Sequence, residues 1–313
     1  IVEKNFLGKG INLETNLEVS EETIKGKFVY SKPNFAYTDN TLFTSIKATT
    51  SDFLTDYGYK IKETGFSLGT TYEQYENLYF SPEISMSIED LETDSTASSQ
   101  LKKQEGTYED FYFNYGLTYD LRDSSYRPTS GNNTSFYQQL PVISGNNELS
   151  NTLIFTQYKN LNQSTDMIGK ASLYFKSVNS LNDSDVRISK RTFIPSSKLR
   201  GFEPGRIGPK DGTDHVGGNY AAALNFSTDL PFIFKNLQST DFKFFIDSAN
   251  VWGVDYSDNT DGGSKVRSST GISVDWFTPI GPLNFSFAKP ITQHHSDKTE
   301  TFRFNLGTTF WWI

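Results

Sequence analysis

Few residue types in this chain are arranged to do covalent chemistry. Gly65-Phe66-Ser67-Leu68-Gly69 fits G-x-S-x-G, the turn that presents a nucleophilic serine. That turn needs a strand running into a helix, whereas Thr64, Phe66, Leu68 and Thr70 continue one alternating rhythm through it. The three histidines, His215, His294 and His295, are expected to be solvated and give neither a triad base nor a metal centre. Asp255, Asp258 and Asp261 with Gly262-Gly263 lack the spacing of an EF-hand loop and read as an exposed polar loop. Glu21 and Glu22 read as a hairpin tip. With no cysteine there is no disulfide, thiolate metal site or cysteine nucleophile. The expectation is a protein without enzymatic chemistry, metal or other cofactor.

The elements that carry these residues are strands. Only 35% of the 313 residues are hydrophobic, yet 15% are aromatic, and the mean hydropathy is -0.51. That combination suits a barrel that is apolar outside and wet inside. No apolar run approaches the roughly 20 residues of a spanning helix. The formal charge of -8, without a basic cluster, argues against nucleic acid as a partner. The start at Ile1, without an initiator Met or a signal-peptide pattern, is that expected of a mature piece lacking any leader and upstream domains.

Segments of about ten residues with a period of two recur along the chain, each followed by a polar turn. Phe111, Phe113, Tyr115, Leu117 and Tyr119 alternate with Tyr112, Asn114, Gly116, Thr118 and Asp120. Ile11, Leu13, Leu17 and Val19 alternate with Asn12, Glu14, Asn16 and Glu18, and Ile84, Met86 and Ile88 oppose Glu83, Ser85 and Glu89. Well-populated faces of both kinds suit lipid on one side and a hydrated lumen on the other. Short turns are expected within Lys32–Asn40, Glu73–Asn77, Leu121–Asn132, Asn160–Thr165, Leu230–Asp241 and Thr278–Pro282. Longer connections are expected within Glu92–Glu105 and Val254–Lys265. The reading is all-β, one transmembrane antiparallel β-barrel domain over residues 1–313, with about sixteen strands. The count includes strands between Asn179 and Leu199, where the alternation is weakest.

Lys198-Leu199-Arg200-Gly201-Phe202, then Ile207-Gly208-Pro209 and Gly217-Gly218-Asn219, resembles the sixth-loop motif of the BamA superfamily of outer-membrane barrels. Phe245-Ile246-Asp247-Ser248-Ala249-Asn250-Val251-Trp252 is similar to that family's F-x-D-x-G-x-V-W strand, with Ala249 replacing the glycine. Trp276-Phe277-Thr278-Pro279-Ile280-Gly281-Pro282-Leu283 is similar to its W-x-S-P-L-G-P-L turn. Asn5-Phe6-Leu7-Gly8-Lys9-Gly10, Asp123, Pro128, Gly131 and the closing Phe302–Phe310 extend the likeness over about residues 5–310.

Alternation puts Asn225 and Asp247 on the lumen face, since Leu224, Phe226, Phe244 and Ile246 take the other. An Arg200 carried inward would meet Asp247 as a bidentate pair, Gly201 would let the backbone approach the wall, and Phe202 would pack on it. The resemblance implies that this sixth extracellular loop is pinned inside the lumen. Asn225 stands where the family often has a second acid, and is expected to accept a hydrogen bond from Arg200.

The resemblance further implies a bacterial outer-membrane assembly factor whose clients are unfolded β-barrel proteins, embedded in the lipid bilayer and served by periplasmic lipoproteins through upstream POTRA domains that lie outside this chain. Clients would add at a weak seam where Asn12, Leu13, Glu14, Thr15, Asn16 and Leu17 meet Phe304, Asn305, Leu306 and Gly307. Gly307 permits a bend and weakens pairing there. Trp311-Trp312-Ile313 extends past the family's usual aromatic end. The alternatives are a TamA-type protein or a partner-secretion translocation pore of the same superfamily.

Overall fold

The computed structural model describes all residues except 1, 20–22, 55–57, 145–146, 163, 165, 183, 213, 232, 234–238, 256–263, 279–280 and 307–313. One antiparallel sheet of fifteen strands contains nearly all the regular structure. It begins with a two-residue strand β1 (Val2–Glu3), followed by β2 (Asn12–Val19), β3 (Thr23–Lys32), β4 (Thr41–Phe53) and β5 (Tyr59–Tyr75). Next come β6 (Leu78–Thr93), β7 (Gly106–Asp120), β8 (Gly131–Ser144), β9 (Glu148–Asn162) and β10 (Met167–Ser180). A two-stranded hairpin, β11 (Lys210–Asp211) and β12 (Asp214–His215), interrupts the order. The sheet resumes as β13 (Tyr220–Asp229), β14 (Thr240–Trp252), β15 (Arg267–Thr278), β16 (Gly281–Thr292) and β17 (Phe302–Leu306). Each strand pairs with its neighbours in sequence except across the β11–β12 insertion, where β10 pairs with β13. This is the meander of a transmembrane β-barrel. Among the described residues no helix is long and apolar enough to cross a membrane.

The outer surface follows from the alternation. Ile84, Met86 and Ile88 on β6, Leu224 and Phe226 on β13, Phe244 and Ile246 on β14, and Phe302 and Phe304 on β17 are all exposed. In the hydrocarbon of a bilayer these side chains face acyl chains rather than water, and the inner strands pair on both sides within the sheet. All six short turns expected from sequence fall between consecutive strands on one side of the sheet. The serine of the G-x-S-x-G stretch lies inside the unbroken β5, where Ser67 Oγ meets Ser45 Oγ at 2.7 Å across the lumen face. Glu21, Glu22, Asp258, Asp261, Gly307 and Trp311–Ile313 lie outside the described residues.

Two expectations are corrected. Residues 181–219 hold no long strand: they make the one-turn 3-10 helix Ile188–Lys190, irregular chain and the small β11–β12 hairpin. His215 is not solvated but buried at this hairpin. The reason is that the segment folds against the inner wall, held there by side-chain pairs such as Arg187–Asp110 and Arg200–Asp247, rather than joining the sheet.

At the expected seam, Gly307 lies outside the described residues and β1 stands beside part of β2. Val2 and Glu3 pair with Glu14 and Leu13, so β1 holds the outer edge of β2 at those positions. Direct pairing of β2 with β17 is absent from the strand pairs of the described residues, and β1 and β17 are the two ends of the sheet order.

Candidate functional site: a loop pinned inside the barrel

The connection from β10 to β13, reached after nine strands counted from β2, enters the lumen. Its motif binds the wall as one unit. Arg200 Nε donates to Asp247 Oδ2 at 2.7 Å and Arg200 Nη2 to Oδ1 at 2.8 Å, a two-pronged pair. The backbone N–H of Arg200 donates to the same Oδ2 at 3.2 Å, while Ser269 Oγ donates to the Arg200 carbonyl at 2.5 Å. The guanidinium lies flat on the Phe245 ring, with Cζ 3.4 Å from its centroid. Asp247 is 0% exposed, so its charge depends on protein donors rather than on solvent.

Neighbouring strands leave room for this contact. Gly271 faces Phe245 across β14 and β15, and a Cβ at Gly271 would lie 2.7 Å from the Phe245 ring. Gly201 has φ +88, and a Cβ there would come within 3.1 Å of Ala288 and 3.3 Å of Ser269. A side chain is thus excluded both by conformation and by the wall. Leu199, Phe202 and Ile207 from the loop form one buried cluster with Ala221, Ala223, Ala249, Val251 and Tyr174 from the strands. The small inward residues of β13 and β14 make the space that the loop's large ones fill. The lumen on this side is therefore dry and packed.

Asn225 behaves differently from expectation. It sits directly opposite Asp247 in the β13–β14 register and donates Nδ2 to Asp247 Oδ1 at 2.8 Å and to the Lys198 carbonyl at 2.7 Å. It serves as a donor to the carboxylate rather than as an acceptor for Arg200. A second acid here would repel Asp247; an amide adds a donor to a buried negative charge.

Sequence reasoning missed a second anchor, nearer the end of the sheet where the loop enters. Arg187 reaches Asp110 on β7 with Nη2 to Oδ2 at 2.5 Å and Glu89 on β6 at 3.4 Å, and its guanidinium covers the Tyr108 ring at 4.1 Å. Lys190 lies 3.0 Å from Asp110 and 3.3 Å from Glu89. Ser189 Oγ donates to Glu89 Oε1 at 2.5 Å, and the Arg187 N–H donates to Glu148 on β9 at 3.4 Å. Burial opposes the charge on Lys190, but the carboxylates, Glu89 foremost, outweigh it and hold the ammonium above its usual range. Arg191 pairs with Asp255 at 2.6 Å, and Asp255 also accepts from the Val186 N–H at 2.8 Å. The loop thus crosses the lumen, tied to β6, β7 and β9 by residues 187–190 and to β14 by Arg200. The only sequence signal was Glu89, an acid on the inward face of an apolar strand.

The fold and this pinned loop define a class: a transmembrane β-barrel with a loop of its own chain bound to the inner face of its wall. Residues 5–310 match the Omp85 superfamily domain, and the chain belongs to that superfamily. It is an outer-membrane β-barrel.

Among relatives, it is 33% identical over 141 residues, 36% of this chain and 17% of that protein, to the outer membrane protein assembly factor BamA of Neisseria meningitidis serogroup B. It is 30% identical over 199 residues, 58% of this chain and 41% of the other, to a SAM50-like protein of Schizosaccharomyces pombe. These matched segments span less than half of either relative. In structure it superposes on BamA from Haemophilus ducreyi lacking POTRA domains 1–3 with a TM-score of 0.84 at 24% identity, covering 97% of this chain and 65% of that one. CdiB from Acinetobacter baumannii gives a TM-score of 0.59 at 12% identity, covering 96% and 54%. The barrel architecture is thus nearer to the first than to the second.

Proposed function

We propose that this chain is the membrane domain of a bacterial outer-membrane assembly factor that folds and inserts other β-barrel proteins, acting without enzymatic chemistry. The observation that carries this reading is the Arg200–Asp247 pair, which fixes an inward loop across the lumen. A conductance pore would be obstructed by such a loop, whereas an insertase works at the sheet's ends and in the bilayer and needs a wall held in shape. Relatives named as assembly factors in bacteria, and a SAM50-like one in yeast, favour assembly over partner secretion, and the lower likeness to CdiB points the same way.

In this mechanism the client strand adds at a sheet end. Among the described residues the stretch of β2 from Asn16 to Val19 and the outer edge of β17 lie at the two ends of the sheet, where hydrocarbon offers no substitute for a strand partner. An incoming strand supplies that partner by β-augmentation. Gly307, next to β17, is proposed to ease the bend that opens the seam. The partners of the full-length protein are proposed to be unfolded barrel clients, the surrounding lipid, and periplasmic lipoproteins acting through POTRA domains.

The test is reconstitution of the full-length protein into liposomes with an unfolded barrel client. Insertion above that of empty liposomes, scored by heat-modifiable mobility of the client, is expected. Ion flux without client insertion would instead favour the translocation-pore reading.

A further inference from the structure

The loop motif is held from a second side, by the strand that ends the sheet. Arg303 of β17 points inward opposite Ser286, between the exposed Phe302 and Phe304. Its guanidinium donates Nη1 to the Ser196 carbonyl and Nη2 to the Phe202 carbonyl at 2.6 Å, bracketing the Leu199-Arg200-Gly201 turn, and it also pairs with Glu300. The chain leading into β17 runs beside the same segment. Phe202 and Thr299 form an antiparallel bridge. Glu300 N–H donates to the Gly201 carbonyl at 3.2 Å, and Glu203 N–H to the Lys298 carbonyl at 3.0 Å. Among the described residues β17 pairs with Leu283–Phe287 of β16.

We propose that Arg303 is a positioning residue that couples the seating of the inward loop to the order of the last strand, so that release of Arg200 from Asp247 loosens β17 and fraying of β17 unseats the loop. A strand at the end of the sheet order is held by one fewer neighbour than an inner strand, and an arginine fork is the side chain suited to grip two carbonyls at once. Asp247 lies on β14 and is not among the residues bonded to β17. Two routes lead from Asp247 to β17, one through β15 and β16 of the sheet and one through the loop, whose side-chain link to β17 is Arg303; the double variant below separates them. Coupling of this kind is reciprocal. Its use in admitting a client strand rests on the function proposed above; the coupling does not.

Hydrogen exchange read by mass spectrometry on the full-length protein in lipid nanodiscs tests it, with heat-modifiable mobility as the check that each barrel is folded. Asp247→Ala is expected to speed exchange of residues 302–306 by about tenfold, and Arg303→Ala to do the same at residues 199–203. In the Arg303→Ala background, adding Asp247→Ala is expected to change residues 302–306 by less than about threefold, the signature of a broken link. Arg303→Lys, which can hold one carbonyl at a time, is expected to restore only part of the coupling. If an alanine variant fails to fold, Asp247→Asn and Arg303→Gln replace it.

The proposal is overturned if Asp247 variants leave residues 302–306 exchanging as in the wild type, or if their effect is the same with and without Arg303. Client insertion by the wild-type protein is scored separately: its absence with the exchange coupling intact would sink the functional reading alone.

Discussion

Replacing Arg200 by alanine removes two charge-assisted hydrogen bonds, 2.7 and 2.8 Å long, and the stacking on Phe245, while Asp247 stays 0% exposed. Removing one partner of a buried ion pair costs about 3–5 kcal/mol, mostly because the other charge is stranded. Here Asp247 keeps two donors, Asn225 Nδ2 at 2.8 Å and the backbone N–H of residue 200 at 3.2 Å. The loss therefore belongs at the lower end, about 3 kcal/mol. At about 1.4 kcal/mol per decade this raises the population of the unseated loop by about 150-fold. Hydrogen exchange of the Leu199–Phe202 amides reads that population directly, because unseating is a local opening of the loop and needs no global unfolding of the sheet. Arg200→Lys keeps a charge without the fork, so a rise of about tenfold is expected. Protection in Arg200→Ala within about threefold of the wild type would refute the reasoning, since the pair would then contribute almost nothing to holding the loop.

Three further outcomes follow from the same geometry. Gly201→Ala puts a Cβ into the wall at φ +88 and should unseat the motif by about 1–2 kcal/mol, visible as a lower thermal midpoint for loop protection, whereas Gly212→Ala, with open space around it, should cost only its backbone strain. Arg187→Ala takes one of two cations from Asp110 and Glu89, leaving Lys190, and should raise the barrel's conductance in a planar bilayer; an unchanged current would mean that the second anchor does not keep the lumen shut. Burial, reinforced by Lys210 and Arg206, lowers His215 from 6.5 to about 4. The folded loop therefore binds this proton less readily than the unfolded chain, its stability is full above about pH 6.5, and it falls by up to about 3 kcal/mol as pH drops to 4. His215→Gln should flatten that part of the pH profile of loop protection.

The barrel wall was legible because its physics is local. Ile84, Met86 and Ile88 against Glu83, Ser85 and Glu89 state a two-sided strand in six residues, and Asp123, Pro128 and Gly131 mark a turn without reference to anything distant. Asp247 was legible for the same reason, its parity being set by Phe244 and Ile246. Arg187 and Lys190 were not, because their partners Glu89, Asp110 and Glu148 come from three strands far back in the chain. Nothing in the spacing of 179–199 encodes which walls it touches, and the segment carries no period because it belongs to no strand. The packing of Ala221, Ala223 and Ala249 under Leu199 and Phe202 was likewise hidden. A small inward residue reads as an ordinary lumen position until the loop that fills the space is known. Asn225 was placed on the right face with the wrong polarity of hydrogen bond, since an amide can donate or accept and only its opposite neighbour Asp247 decides.

Client contact at the sheet's ends is the central claim, and crosslinking reads it most directly. A photo-reactive residue is placed in turn at Thr15, Leu17 and Val19 of β2, at Phe302 and Phe304 of β17, and at Ile84 and Met86 of β6, in the full-length protein with a client barrel arrested during assembly. All seven positions are exposed on the protein, but Ile84 and Met86 lie on a strand paired on both sides. Adducts concentrated on β2 and β17 and weak on β6 are the predicted result. Adducts as strong on β6 as at the ends, with assembly proceeding normally, would contradict it.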